Sequence, residues 1–357
     1  MNAYRRSTFG FTLVHLFVVI GIICLLLAFV LPAINQAREA ARRMSCENNM
    51  KILVLEQHNF HDTYGRFPKV LGGTNGSLDP MQSNLGRRSP WVDLIPYIES
   101  SPVPHQIENP LTTDVATYPG GGPAPWISDY PPWQLNWSWF ECPAATREPS
   151  ELGQTNYAFC IGDLARDIHE PKKLRGVFGG GLTCNFRDVT DGTSNTILLG
   201  EIGTRSGRAV VGQYAIKVSG NILDKPSLHT QFRSPGKGWF YDDKFELSEY
   251  GRGGRWADGS AGDSQFNTIL PPNSPSCTVG AKEAGDGLYS AGSFHPGGAN
   301  VALADGSVRF ITSDIDTGDL TKPTLTVEQM SQPNVASPFG IWGALGTIDA
   351  GDESGDD

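Results

Sequence analysis

The sequence predicts an α+β protein. One long N-terminal helix crosses a membrane and continues onto an antiparallel β-rich, loop-rich globular head. Three observations carry that prediction. Residues Leu16 to Leu31 are apolar and free of charge, and roughly 20 such residues span the hydrocarbon core as a helix. Residues Ala33 to Tyr64 contain neither Pro nor Gly and are rich in Ala, Arg, Glu, Gln, Leu and Met, all strong helix formers. Past Gly65 turn residues multiply. With 42 Gly, 25 Pro and only 18% charged residues in the chain, the remainder reads as folded and loop-rich, since disorder goes with high charge and few apolar residues.

The N-terminal rod is defined by charge, length and period. Arg5 and Arg6 precede the apolar span, and Arg38, Arg42 and Arg43 follow it. The basic pair places the N-terminus in the cytoplasm and the head on the periplasmic or cell-surface side. The span is too long and uniform for the core of a secretory signal, and no small-x-small cleavage site closes it. Farther along, Cys46, Met50, Leu53, Gln57, Phe60 and Tyr64 recur in steps of four and three, one stripe to lay against the head. Gly65 and Pro68 end the helix. From Phe11 to Tyr64 it would be about 80 Å long.

In the head, Pro68 to Arg88 reads as a surface loop, Trp91 to Glu99 as a short helix or strand, and Ser100 to Pro132 as irregular chain. Thr155 to Gly162 alternates as a strand does, and Thr196 to Glu201 reads as a buried strand. Between them, Asp188 to Asn195 carries turn chemistry centred on Asp191-Gly192. Arg205 to Ser276 mixes short strand-like runs with polar loops. Asp305-Gly306 separates Val301–Ala304 from Ser307–Ile311, which predicts a hairpin with a type I′ turn, both turn residues at positive φ. Asp349 to Asp357 is an acidic, solvated end.

Composition and motifs exclude several functions. A net charge of −10 argues against nucleic-acid binding, which needs clustered Lys and Arg. Gly176 to Gly181 lacks phosphate-loop spacing, and neither Gly-x-Ser-x-Gly nor His-Glu-x-x-His occurs. Neither an enzyme nor a cofactor is therefore expected. Of six cysteines, Cys24 lies in the apolar helix, whereas Cys46, Cys142, Cys160, Cys184 and Cys277 lie outside it, where disulfides persist. Spacing does not dictate the pairing; Cys160–Cys184 is the favoured pair, and the odd count leaves a thiol over. Without a CxxC pair no zinc site is expected. His58 and His61 share a helix face beside Asp62, but no third and fourth ligand is visible, so they read as a polar helix end under a loop. Trp126, Trp133, Trp137 and Trp139 form either a sugar-stacking or protein-contact surface or a small core that pins a long loop. His295 and Asp305 read as a structural pair, with His295 bonding backbone near the turn.

A basic leader ending in Gly10, followed by Phe11-Thr12-Leu13 and an apolar helix, resembles the processing site of type IV prepilins and type II secretion pseudopilins. The resemblance implies cleavage by a prepilin peptidase between Gly10 and Phe11, methylation of the new Phe11 amine, and a helix kink at Pro32. The family carries Glu at the fifth residue of the mature chain, where this chain has His15. That Glu is thought to pair with the amine of a neighbouring subunit, a role an imidazole does not fill. Four further stretches resemble a group of prepilin-like proteins of planctomycete-type bacteria that carry a domain of unknown function. They are Arg38 to Arg43, His61 to Pro68, Thr190 to Thr196, and the His-x9-Asp-Gly element of His295, Asp305 and Gly306.

The resulting organisation is a leader (residues 1–10), a transmembrane helix (11–34), an amphipathic extension (35–64), a head (65–338) and an acidic tail (339–357). The expected function is a pilin-like or pseudopilin-like structural subunit of the cytoplasmic membrane. Its expected partners are the lipid bilayer, the prepilin peptidase and other pilin-like subunits. His15 points to a minor, tip or initiating subunit, which has no amine ahead of it to neutralise. The alternative is a membrane-anchored binding protein that never polymerises, its tryptophans holding a glycan or protein.

Overall fold

The computed structural model describes residues 13–98, 101–280 and 285–351. The proposed cleavage pair Gly10 and Phe11, and the last acidic residues, lie outside that set. Helix α1 runs from Leu13 to Tyr64 and passes through Pro32 as one element. At 1.5 Å per residue it is about 78 Å long. Its apolar residues from Leu13 to Leu31 are exposed all round, and among the described residues it is the one helix long and apolar enough to cross a membrane. Its second half buries Cys46, Met50, Leu53, Val54, Glu56, Gln57 and Phe60. The expected stripe is widened by Val54 and Glu56 and lacks its last member: Tyr64 is 58% exposed. The helix stops at Gly65, whose φ of 69° lets its N–H reach back to the His61 carbonyl at 2.7 Å, as helix-ending glycines do.

Helices α2 (Pro90–Ile98) and α3 (Val103–Glu108) follow. The strands of the described residues are β1 (Leu111–Thr112), β2 (Thr117–Tyr118), β3 (Tyr157–Cys160), β4 (Ile197–Glu201), β5 (Tyr214–Val218), β6 (Arg233–Ser234), β7 (Lys237–Tyr241), β8 (Gln265–Phe266), β9 (Ser276–Val279), β10 (Gly287–Leu288), β11 (Gly298–Leu303) and β12 (Val308–Thr312). The main sheet has the order β12-β11-β4-β3-β8. It is antiparallel except where β8 runs parallel to β3. A smaller sheet, β10-β9-β5, and the pairs β1-β2 and β6-β7 complete the head.

Every residue of β3, β4 and β11 is buried, so the sheet is covered on both faces. Tyr157 and Phe159 point into the cluster that holds Met50, Leu53 and Trp91. Their neighbours Ala158 and Cys160 face Phe266 and Trp342. The alternation read in Thr155 to Gly162 is therefore one of faces, not of burial. A strand wedged between two apolar layers has no solvent side.

Two expectations are corrected. The β11–β12 connection is not a type I′ turn, because Gly306 is at positive φ (89°) whereas Asp305 is not. The Gly306 N–H donates to the Leu303 carbonyl at 2.9 Å, and the Leu303 N–H to the Ser307 carbonyl at 2.8 Å. This is the three-residue loop, a type I turn closed by a left-handed glycine. Nor does the head end at residue 338. The helix Gly340–Gly346 buries Trp342, whose indole N–H donates to the Leu270 carbonyl at 2.9 Å. Ile348 and Ala350 are also in the core, so an acidic tail begins no earlier than Gly351.

Gly251 to Gln265 is buried throughout despite its charge. Arg255 meets Asp263 at 2.7 Å, and Arg87 forks onto Asp258 at 3.0 and 2.7 Å. Arg252 donates to the carbonyls of Ala261, Gly262 and Gln265. Bidentate and multiple pairing of these charged groups is what makes such burial tolerable.

Two outcomes are expected. Leu53→Ala should lower the head's unfolding free energy by about 2–5 kcal/mol, read by denaturant titration in detergent. Leu55→Ala on the exposed side should cost under about 1 kcal/mol; equal losses would mean that the seam is misplaced. His169, half-buried beside Arg87, has its pKa lowered to about 4 by burial first and by the guanidinium second. Its neutral form is the folded form. Stability should thus be fully present above pH ~6.5 and decline by up to roughly 3 kcal/mol as pH falls from there towards 4. In His169→Gln the same titration should show a drop smaller by that amount.

Candidate functional site

The groups with the most chemistry meet where α1 enters the head. Glu39 and Cys46 lie two turns apart on α1 and so share a face. Cys142 follows the short 3-10 turn Ser138–Phe140, and its N–H is held by the Asn156 side-chain oxygen at 3.0 Å. Glu201 is the last residue of β4. His295 sits just ahead of β11, its N–H bound to Ser293 Oγ at 3.1 Å.

The His295 ring lies between these groups. Its Nδ1 is 2.6 Å from Glu39 Oε1. Its Nε2 is 3.2 Å from Cys46 Sγ, 3.3 Å from Cys142 Sγ and 3.7 Å from Glu201 Oε1. Cys46 and Cys142 form a disulfide with Cα atoms 5.2 Å apart, linking residues 96 positions apart in sequence. Glu201 is itself oriented by Asn300, whose N–H and side-chain amide donate at 2.7 and 3.1 Å. Burial raises the Glu201 carboxyl above its ordinary pKa, opposed by the Asn300 bonds, His295 and Arg43. Arg43 stacks over the Phe310 ring at 3.6 Å and closes the cluster on the helix side.

Two predictions are corrected here. The disulfide is Cys46–Cys142, not Cys160–Cys184. Cys160 and Cys184 are free and buried, and burial pushes both thiols up to about 12, which keeps them protonated and unreactive. His295 does not bond backbone near the turn. It lies at the opposite end of β11 from Asp305, whose carboxylate accepts from Ser307 N–H and Oγ–H at 2.8 and 2.7 Å.

The remaining motifs converge at the far end of the hairpin. His58 Nε2 is 2.9 Å from the Ala304 carbonyl. The N–H groups of Ala304 and Asp305 donate to the carbonyls of Thr196 and Thr193 at 2.8 and 3.0 Å. Asp191 accepts from the N–H groups of Ala350 and Gly351 at 2.8 and 2.9 Å, while Gly192 turns the chain at φ 100°. His61 packs on Phe186 and Phe67. Hence His58 and His61 close the helix end under a loop, as expected. Trp133 is buried, with its indole N–H on the Pro123 carbonyl at 3.3 Å. Trp137 stacks on Trp139 at 4.9 Å, and Arg87 lies over Trp126 at 5.2 Å. All four tryptophans are packed or half-packed. The exposed aromatic pair is instead Trp239 and Phe240 on β7, in the stretch of short strand-like runs and polar loops.

Among the described residues, Cys46, Cys142, Glu201 and His295 are the group able to hold a metal ion: their ligand atoms lie within 4.8 Å of one another and all four are buried. No local spacing announces the set, because its members come from four distant parts of the chain. The covalent tie itself has a measurable effect. Cys142→Ser should lower stability by about 2–5 kcal/mol in non-reducing denaturant titrations, and a reductant should shift the wild type but not the variant.

No curated protein and no solved structure matches the chain. A family model described as a protein of unknown function (DUF1559) matches residues 35–318, a span that contains Glu39, Cys46, Cys142, Glu201 and His295. The match covers most of the chain and begins where the apolar half of α1 ends, so the protein belongs to the DUF1559 family.

Proposed function

We propose that this DUF1559 protein is a membrane-anchored, pilin-like structural subunit with no catalytic step of its own. In this reading it is made with a basic leader, cut after Gly10 by a prepilin peptidase, and held in the cytoplasmic membrane with its head outside. The observation that carries the reading is α1 itself. One uninterrupted helix has an apolar surface all round from Leu16 to Leu31 and a one-sided seam from Cys46 to Phe60. A secreted protein has no use for the first half, and a simple anchor has no need for rigid continuity into the second. A pilin-like subunit requires both, because its membrane segment becomes the rod of an assembly while the head rides on it. The partners are then the bilayer, the peptidase and other pilin-like subunits, in a pilus or a secretion pseudopilus. The alternative, a binding head that never polymerises, draws less support, since three of the four tryptophans that suggested a ligand surface, Trp133, Trp137 and Trp139, are engaged in ring packing.

Intact-mass measurement of the membrane-extracted protein tests the processing. The expected chain starts at Phe11 and carries one methyl group; a chain that still starts at Met1 would sink the proposal. His15→Glu tests the place in the assembly. If His15 marks a tip or initiating position, the variant should enter filament interiors more often, measured as the fraction of the protein recovered in sheared filaments. An unchanged fraction would remove that part of the argument.

A further inference from the structure

We propose that the cluster beneath α1 is a redox-gated zinc site: in the reduced chain, Cys46 and Cys142 thiolates, His295 Nε2 and the Glu201 carboxylate together bind Zn2+. The donor set has the chemistry for it. Zinc takes thiolate, imidazole and carboxylate in a closed tetrahedron when its role is structural. Bond lengths of about 2.0–2.3 Å in that tetrahedron place ligand atoms about 3.3–3.8 Å apart. His295 Nε2 already stands 3.2 Å from Cys46 Sγ, 3.3 Å from Cys142 Sγ and 3.7 Å from Glu201 Oε1. Only the two sulfurs must part, which side-chain rotation allows on Cα atoms 5.2 Å apart. The mixed set favours Zn2+ over Cu(I), which prefers sulfur alone and has little use for a carboxylate.

The outer layer has the form that metal sites use. A metal-bound imidazole characteristically donates its other N–H to a carboxylate, which fixes the tautomer and the ring plane. His295 Nδ1 is 2.6 Å from Glu39 Oε1, which leaves the Nε2 lone pair facing the sulfurs. The ligating carboxylate is itself held, by the Asn300 N–H and amide. In the disulfide form the Glu201 carboxylate accepts from the neutral donors of Asn300 alone within hydrogen-bond distance, beside two neutral sulfurs. A dication would add a charged partner to this buried carboxylate. Arg43, on the same helix as Glu39, offsets part of the remaining negative charge.

The disulfide and the metal exclude each other. Opening the S–S bond takes two electrons and two protons from a dithiol, which leaves as its own disulfide. Zinc entry then replaces the two thiol protons, which go to solvent. In both states α1 stays tied to the head through Cys46, by a covalent bond in one and by coordination in the other.

The test uses the full chain in detergent micelles. Half of one preparation is reduced with a phosphine and desalted without air; the other half is left oxidised. Both are titrated with Zn2+ against a chromophoric chelator and, separately, with Co2+. The reduced chain should bind a single zinc ion, and its cobalt form should show thiolate-to-cobalt charge transfer together with the intense visible bands of tetrahedral Co2+. The oxidised half should bind none at the same concentrations. Cys142→Ser should reduce the charge-transfer band by half or more, and removing Cys46 as well should abolish it, while Glu39→Gln, a positioning change, should weaken zinc by about 10–100-fold and keep the tetrahedral spectrum. Equal binding by the reduced and oxidised halves, no stoichiometric zinc in the reduced half, or cobalt bands without thiolate character would each overturn the proposal. The comparison between halves needs no substitution, so a variant that fails to fold does not spoil it.

Discussion

The docking of α1 on the head is the constraint from which the rest of the structure follows. One rod carries two kinds of surface. From Leu16 to Leu31 its surface is apolar on every side, which suits a bilayer, where a helix needs no partner to satisfy its backbone. From Cys46 to Phe60 only a stripe is buried. Burying Met50, Leu53, Val54 and Phe60 supplies about 1.5–3 kcal/mol each, but that attraction has no direction. On its own it would hold the helix down and let it slide or roll by a turn. Register comes from the directional contacts: Glu39 with His295, Cys46 with Cys142, Asn49 with the Glu141 carbonyl at 3.0 Å, and His58 with the Ala304 carbonyl at 2.9 Å. They are spread along the docked half, so the seam is fixed at both ends.

What could be read from the sequence is what local physics announces. The length of the apolar run, the stripe from Cys46 to Phe60 and the stop at Gly65 depend on residues within a few turns of one another. So does the Asp-Gly hairpin, though Asp305-Gly306 alone does not say whether Ala304 joins the loop. Gly251 to Gln265 was illegible for a different reason. Hydropathy reads Arg252, Arg255, Asp258 and Asp263 as surface residues, whereas each is buried among partners, and one of them, Arg87, lies far away in sequence. The helix–head cluster was the least legible of all. Cysteine spacing carries no pairing information, and a ligand set drawn from α1, a loop, the end of β4 and the start of β11 leaves no local pattern. His295 was visible as half of a motif, but its true partners are on α1 and not in the hairpin.

That last point gives the His-x9-Asp-Gly spacing a physical meaning. From Glu39 to His58 the helix rises about 28 Å at 1.5 Å per residue. From His295 to Ala304 an extended chain rises at most about 30 Å. β11 thus reaches along α1 between two fixed points, with His295 at Glu39 and Cys46, and the Ala304 carbonyl at His58. The Asp-Gly turn is needed at the second point, since it must end the strand there and present that carbonyl. Gly306 also comes within reach of the ring: a Cβ at this position would lie 3.7 Å from His58 Cε1. One residue more or fewer between His and Asp would flip every β11 side chain to the other face of the sheet and take His295 away from the sulfurs. The motif measures the helix, and the two sites that sequence reading placed together as a His–Asp pair are the two ends of the ruler.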